Sequence, residues 1–400
     1  MTQSARAYLD HNATTPVRPE VAEAIARALL ATGNPSSVHG EGRAARGALE
    51  RAREQVAALT GARPDNVVFT GGGTEANATV LSPALMDCDG GRDCVRVPAS
   101  LLLHSATEHA CVREGHRFAP GAAEPIPVDA AGLVDLDRLA ARLARHKAEQ
   151  PDRRALVSVH LANNETGVIQ PLAEIAALAR AHGALVHSDA VQAAGKIAID
   201  VAALGVDALT VSAHKIGGPQ GVGAIVFRTG AVELADKLLR GGGQERGWRA
   251  GTENVAGIVG FGVAAERAVA NLADETRRLA GLRDRLEEGL LALAPQTLIF
   301  GRAAPRLPNT SAFSTPGLKA ETALIRLDLA GVALSSGSAC SSGKVRRSHV
   351  LDAMGVDPAM SEGALRASLG WTTCEGDIER FLAAYRPLVT ATANRTAQAA

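Results

Sequence analysis

From Val67 to Phe227 the chain alternates short apolar runs with amphipathic ones, and this alternation constrains the fold of the 400 residues more than any other feature. Val67 to Thr70, Leu101 to Ser105, Leu156 to His160, Ala184 to His187, Asp207 to Val211 and Ala224 to Phe227 are short and mostly apolar, the mark of strands buried on both faces. Between them, stretches such as Asp135 to Gln150 and Ile175 to His182 repeat at helical spacing. Alternating strands and helices build a largely parallel sheet covered on both sides, an α/β fold. The strands of such a sheet end on one rim, where ligands bind.

Polar chemistry gathers at those strand ends. Val67 to Thr70 runs into Gly71, Gly72, Gly73 and Thr74 ahead of an alanine-rich helix. Bare amides, the positive end of a helix dipole and a hydroxyl then face one point, which suits an anion. A tight strand-to-helix turn would use the same glycines, and the spacing is not the GxGxxG of a dinucleotide fold. His109 follows Leu101 to Ser105 just before a helix, as a ligand-facing ring or as a helix cap. Asn164 lies in the polar tip 163–167. Asp189, with Gln192 close behind, ends an apolar strand, where a carboxylate is costly unless it meets a cation. Aspartates also cap helices at such places.

Ser212, His214 and Lys215 end the strand that leads into Gly217 and Gly218. A lysine at a buried strand end loses water, which favours the neutral, nucleophilic amine and suits Schiff-base chemistry. A surface lysine in a hairpin turn is the plainer alternative. A phosphate-gripping P-loop is excluded, because its lysine follows the glycines and precedes a helix. Lys215 precedes them, and a strand follows. Each residue alone has a structural explanation; their common place on one rim favours a shared site.

Beyond about Gly260 the pattern changes. Helices over Thr276 to Ala294 and Glu321 to Ala330 alternate with short strands such as Thr310 to Phe313, which indicates a smaller α/β domain. The expected division is a large domain over residues 16–260 and a small one from residues 1–15 and 261–400. The small domain holds Leu334 to Lys344, a run of serine and glycine around one thiol, Cys340. Lys344, Arg346 and Arg347 are near it, and cations favour thiolate. An inert cysteine in a serine-rich loop is the alternative. Arg366 follows in the stretch 365–370, and the tail from Thr390 is expected to fray. Arg240 to Thr252 is rich in glycine and arginine, and its glycines permit close approach of a ligand or another chain.

Lysine plus arginine and aspartate plus glutamate both total 42, which argues against nucleic acid or an anionic membrane as the main partner. The start has no apolar signal region, and no later run reads as long and apolar enough to span a bilayer. Five cysteines without CxxC spacing suit neither a disulfide framework nor a zinc site, and fit a reducing cytoplasm.

An acid at one strand tip, an amine 26 residues on and hydroxyls at two further tips fit pyridoxal phosphate. Its aldehyde needs an amine, its pyridine nitrogen an acid partner, and its phosphate hydroxyls and amides. With the Cys340 loop, the chain resembles the cysteine desulfurases of the nitrogenase-associated and housekeeping iron–sulfur type, within the class-V aminotransferase superfamily. The motifs are YLDHNATTP, GGGTEAN, ATEHACV, ANNETGVIQP, HSDAVQ, SAHKIGGPQG, GGGQERGWRAGT, SSGSAC and LRASLG, and they cover nearly the whole chain.

The resemblance implies fold type I of the pyridoxal-phosphate-dependent transferases, with a mainly parallel seven-stranded sheet between helices and a smaller α/β domain. It implies that Lys215 holds the cofactor as a Schiff base and that Asp189 pairs with the pyridine nitrogen. His109 then stacks on the ring and moves protons, and Gln192 bonds the phenolic oxygen. Gly73, Thr74, Ser212 and His214 grip the phosphate, joined in a homodimer by the partner subunit's Thr252. Asn164, beside the cofactor, and Arg366 hold the carboxylate of L-cysteine, Arg366 as a bidentate fork. Cys340 takes the substrate sulfur as a persulfide, leaving alanine, and passes it to an acceptor such as an iron–sulfur scaffold protein. No resident metal is implied, although Cys340 is where a nascent iron–sulfur cluster would touch the chain.

Three departures stand out: the triple glycine, the basic segment after Cys340, and an end soon after Tyr385-Arg386-Pro387 without the longer tail that housekeeping members use to hold their scaffold. The last leaves the acceptor open. A selenocysteine lyase would use the same constellation, whereas an aminotransferase needs no SSGSAC thiol. A structural partner that kept the fold without the chemistry would be colourless.

Overall fold

The computed structural model describes residues 6–87, 97–336 and 347–399. At its centre is a sheet of seven strands: β1 (Val67–Thr70), β2 (Ala99–Ser105), β3 (Ala123–Ile126), β4 (Arg154–Ser158), β5 (Leu185–Asp189), β6 (Ala208–Ser212) and β7 (Gly223–Phe227). Their order in space is β1-β7-β6-β5-β4-β2-β3. From β3 to β6 all neighbours are parallel. β7 is antiparallel to both β6 and β1. Residues 213–222 alone join β6 to β7, too few for the crossover that a parallel pair needs. The connection therefore stays at the carboxyl end of β6, and it contains Lys215.

Alternation along each strand feeds two apolar layers. Leu101, Leu103 and Val157 pack on one face of the sheet, Leu102 and Leu156 on the other. β5 and β6 run further than their apolar stretches predict, so Asp189 and Ser212 are the last residues of their strands. β3 carries Pro125 and shows no apolar run, and it is tolerated because it lies at the edge of the sheet.

A second core forms around an antiparallel sheet of Leu298–Ile299, Thr310–Ser314, Leu365–Ser368 and Ser335–Ser336, in that order. Phe313, Phe381 and Tyr385 stack within it, with ring centroids 5.4 to 6.0 Å apart. The helix Glu375–Ala399 continues through the tail expected to fray, where alanine favours helix.

One helix, Val255–Leu293, replaces the shorter one expected from Thr276. By length and composition it could cross a membrane, contrary to the expectation that no run would. Its first half instead buries Phe261, Ala264 and Ala265 in the large core, and its second half buries Leu279, Leu286 and Leu290 in the small one. Position 260 lies inside it. Gly257, Gly260 and Gly262 look like breakers in sequence but serve close packing. A Cβ on Gly262 would lie 2.7 Å from the Cα of Ala52 in the helix Gly40–Thr60, and one on Gly260 would lie 2.7 Å from Ile25 Cδ1. Gly281 of the same helix is exposed and faces open space.

The two kinds of glycine predict opposite outcomes in urea unfolding. Gly262→Ala is expected to destabilise the protein by about 1–3 kcal/mol through overpacking, and Gly281→Ala to stabilise it by about 1 kcal/mol through helix propensity.

Candidate active site

The carboxyl ends of the strands surround a cavity of about 250 Å³. Gly73 and Thr74 reach it from the start of the helix Gly73–Val80, and His109 from the loop after β2. Asn164 follows β4, Asp189 and Gln192 close β5, and Ser212, His214 and Lys215 follow β6; all line the same space. Residues distant in sequence meet here because parallel strands all end on one side.

Asp189 is buried, and both its oxygens accept hydrogen bonds. Oδ1 accepts the Val191 N–H at 2.9 Å, and Oδ2 accepts Asn77 Nδ2 at 2.7 Å. The Asn77 Oδ1 in turn accepts the Thr210 hydroxyl at 2.6 Å. Asn77 was not singled out from sequence. Its signal was its residue type, since an asparagine inside an alanine-rich helix is poorly placed unless its amide is bonded.

Lys215 Nζ donates to the backbone carbonyls of Asn12 and Ala13, the latter at 2.8 Å. Gln192 Nε2 also donates to the Asn12 carbonyl, at 3.0 Å. Asn12 is held by residues in and beside the four-stranded sheet. Its N–H donates to Ser368 Oγ at 2.9 Å, its Nδ2 to Thr310 Oγ1 at 2.9 Å, and its Oδ1 accepts Asn309 Nδ2 at 3.0 Å. Thr14 Oγ1 lies 3.2 Å from His214 Nδ1. The segment YLDHNATTP thus ties the two cores together across the lysine. Behind it is Lys196, buried and donating to the carbonyl and Oε1 of Gln192 at 2.8 and 3.2 Å. Burial first, then Lys215 and Arg366, pull its ammonium down to about 7. Burial, then Lys215 and Lys196, hold the His214 imidazole at about 4.

Two expected residues sit elsewhere. Arg366 does not line the cavity: its Nη2 donates to Asp10 Oδ1 at 2.8 Å and its Nη1 to the Asn164 carbonyl at 3.0 Å. Thr252 is exposed in a separate recess with Gly71 and Arg249. Its loop is anchored by Glu245, buried against Arg53 at 2.7 Å. Cys340, with Lys344 and Arg346, lies outside the described residues, while Arg347 pairs with Asp352 at 2.6 Å. Glu165, which sequence left without a role, is fully enclosed and accepts the Ser348 hydroxyl. Burial raises its carboxyl to about 7.

A sheet of this order, with an acid ending β5 and a lysine in the turn after β6, is that of a fold-type-I pyridoxal-phosphate-dependent transferase. The chain belongs to the class-V aminotransferase family, whose model matches residues 7–381. It is 43% identical to a cysteine desulfurase of Cereibacter sphaeroides, over 96% of each chain. It is 41% identical to an IscS-like cysteine desulfurase of Mycobacterium tuberculosis, over 98% of each. Among solved structures, a NifS-like protein from Rickettsia africae superposes with a TM-score of 0.84 at 35% identity, over 96% of this chain and 99% of that one.

The raised carboxyl of Glu165 predicts a pH effect. Between the ordinary carboxyl value of 4.5 and about 7 the folded state holds a proton that the unfolded state has lost. This group's contribution to stability therefore falls as pH rises through that window. Unfolding of wild type and Glu165→Gln across pH 4.5 to 8 should show the wild type losing ground to the variant as pH rises, with the difference level above about 7.

Proposed function

We propose that this chain is a pyridoxal-phosphate-dependent cysteine desulfurase, converting L-cysteine to L-alanine while Cys340 keeps the sulfur as a persulfide for an acceptor. The observation that carries the reading is the pairing, in one cavity, of a buried, fully bonded Asp189 with the amine of Lys215. The residues present fit the cofactor. Thr74, Ser212 and His214 offer phosphate donors beside a helix start, where a Cβ on Gly73 would come 3.0 Å from Val191 Cγ2 and 3.6 Å from Ser212 Cβ. Asp189 suits the pyridine nitrogen, Gln192 the phenolic oxygen and Lys215 the aldehyde. When bound, pyridoxal phosphate supplies an electron sink that weakens the bonds around the substrate's α-carbon.

The protein's own groups do the rest. Arg366 takes the substrate carboxylate in place of Asp10, with Asn164 beside it, in a charge-assisted fork. Lys215 Nζ, freed from the Asn12 and Ala13 carbonyls, is the base for the α-proton. His109 covers the ring and moves protons. The Cys340 thiolate attacks the sulfur of L-cysteine; an S–S bond forms, the substrate C–S bond breaks, and alanine leaves once its carbon is protonated. An iron–sulfur scaffold in a reducing cytoplasm suits the persulfide product. Thr252, exposed and turned from its own cavity, serves the phosphate of a second copy in a homodimer.

Cys340→Ser is expected to stay yellow and bind L-cysteine but form neither alanine nor persulfide; alanine at the wild-type rate would refute the assignment. The dimer is tested by subunit mixing. Lys215→Ala and Thr252→Ala, each impaired alone, should regain activity when refolded together, because one mixed site then has both native residues. Failure of every mixture to exceed the parents would place Thr252 outside the partner's site.

A further inference from the structure

We propose that Cys111 is a positioning residue that holds His109 as a neutral imidazole with its proton on Nε2. His109 caps the short helix Ala110–Arg113, and its Nδ1 accepts the backbone N–H of Cys111 at 3.2 Å. A backbone amide nitrogen can only donate, so Nδ1 presents its lone pair, and the proton of the neutral ring is on Nε2. The Cys111 Sγ lies 3.0 Å from the same Nδ1. With Nδ1 bare, the thiol is the donor in that contact.

The rest of the network agrees on direction. Asn77 Nδ2 has two hydrogens, and one goes to Asp189 Oδ2 at 2.7 Å. The other goes to Cys111 Sγ at 3.2 Å, while Asn77 Oδ1 accepts from Thr210. The sulfur thus accepts from the amide and donates to the imidazole. Protonating Nδ1 would turn the backbone N–H contact from attractive to repulsive and would end the thiol's donation to the ring. Through Asn77, the carboxylate meant for the pyridine nitrogen and the imidazole above the ring share one hydrogen-bonded unit.

The functional weight of this contact rests on the desulfurase reading, in which His109 lies over the cofactor. A neutral imidazole can stack on a protonated pyridine ring without like-charge repulsion, and an imidazolium cannot. Glu165 and His349 also act electrostatically on His109, Asp189 is one amide away, and Glu108, His160, His214 and Lys215 line the same cavity. None of them changes in a Cys111 variant.

The test is ¹⁵N-histidine NMR of the cofactor-free and the loaded protein, with His109 assigned from the spectrum of His109→Asn. In wild type, Nδ1 should have the shift of an unprotonated acceptor and Nε2 that of a protonated nitrogen. Cys111→Ala should move the titration midpoint of His109 up by about half a unit, roughly a threefold change in its protonation equilibrium, for one lost hydrogen bond to the neutral ring. Cys111→Ser, which keeps a donor on the same atom, should move it back. A wild-type ring protonated on Nδ1 would overturn the proposal, and so would equal midpoints in wild type and Cys111→Ala. The cofactor-free titration reports the contact even if the Cys340→Ser result refutes the desulfurase reading.

Discussion

A strand covered on both faces has no room for charge along its length, and the site follows from that constraint. β4, β5 and β6 are buried from end to end apart from Arg154 at the start of β4. A carboxylate or an ammonium can be accommodated only where such a strand stops and donors or acceptors from neighbouring loops can reach it. Asp189 and Lys215 are at such stops. Because the strands between them are parallel, the stops lie on one rim, and the chemistry gathers there without any of the residues being close in sequence.

What meets these groups is mostly neutral. Asp189 is bonded by an amide N–H and the side chain of Asn77, with no cation in contact among the described residues. Lys215 is bonded by two backbone carbonyls. The hydrogen bonds described for the acid and the amine are thus to neutral groups. Arg366 is arranged differently, since its Nη2 is paired with the Asp10 carboxylate while its Nη1 donates to the Asn164 carbonyl. On the proposed function, a substrate carboxylate would take the place of Asp10 and leave the guanidinium paired.

The large-scale fold and most of the cavity lining could be read in the sequence, because apolar runs and their polar ends are local signals. The rest was hidden for identifiable reasons. β3 is an edge strand with a proline in it, so it lacks the pattern that marks its neighbours. The glycines of Val255–Leu293 have the composition of a break, and their role shows only when the facing helix is in place. Asn12 is joined to Asn309 across 297 residues, and no local pattern reports such a bond. Cys111, to which the sequence assigned no role, has two contacts, one local to His109 and one from a different helix.

The segment that holds the lysine also fixes when the site can exist during synthesis. Ala7 and Tyr8 pair with Val332 and Ala333, and Asn12 depends on Thr310 and Ser368. This segment must therefore wait for partners 298 to 356 positions further along the chain before it can settle. The central sheet can close earlier, but until residue 368 emerges Asn12 lacks the Ser368 hydroxyl that fixes its N–H. A nascent chain thus cannot fix the backbone that restrains Lys215 in its final place before the second core has been made.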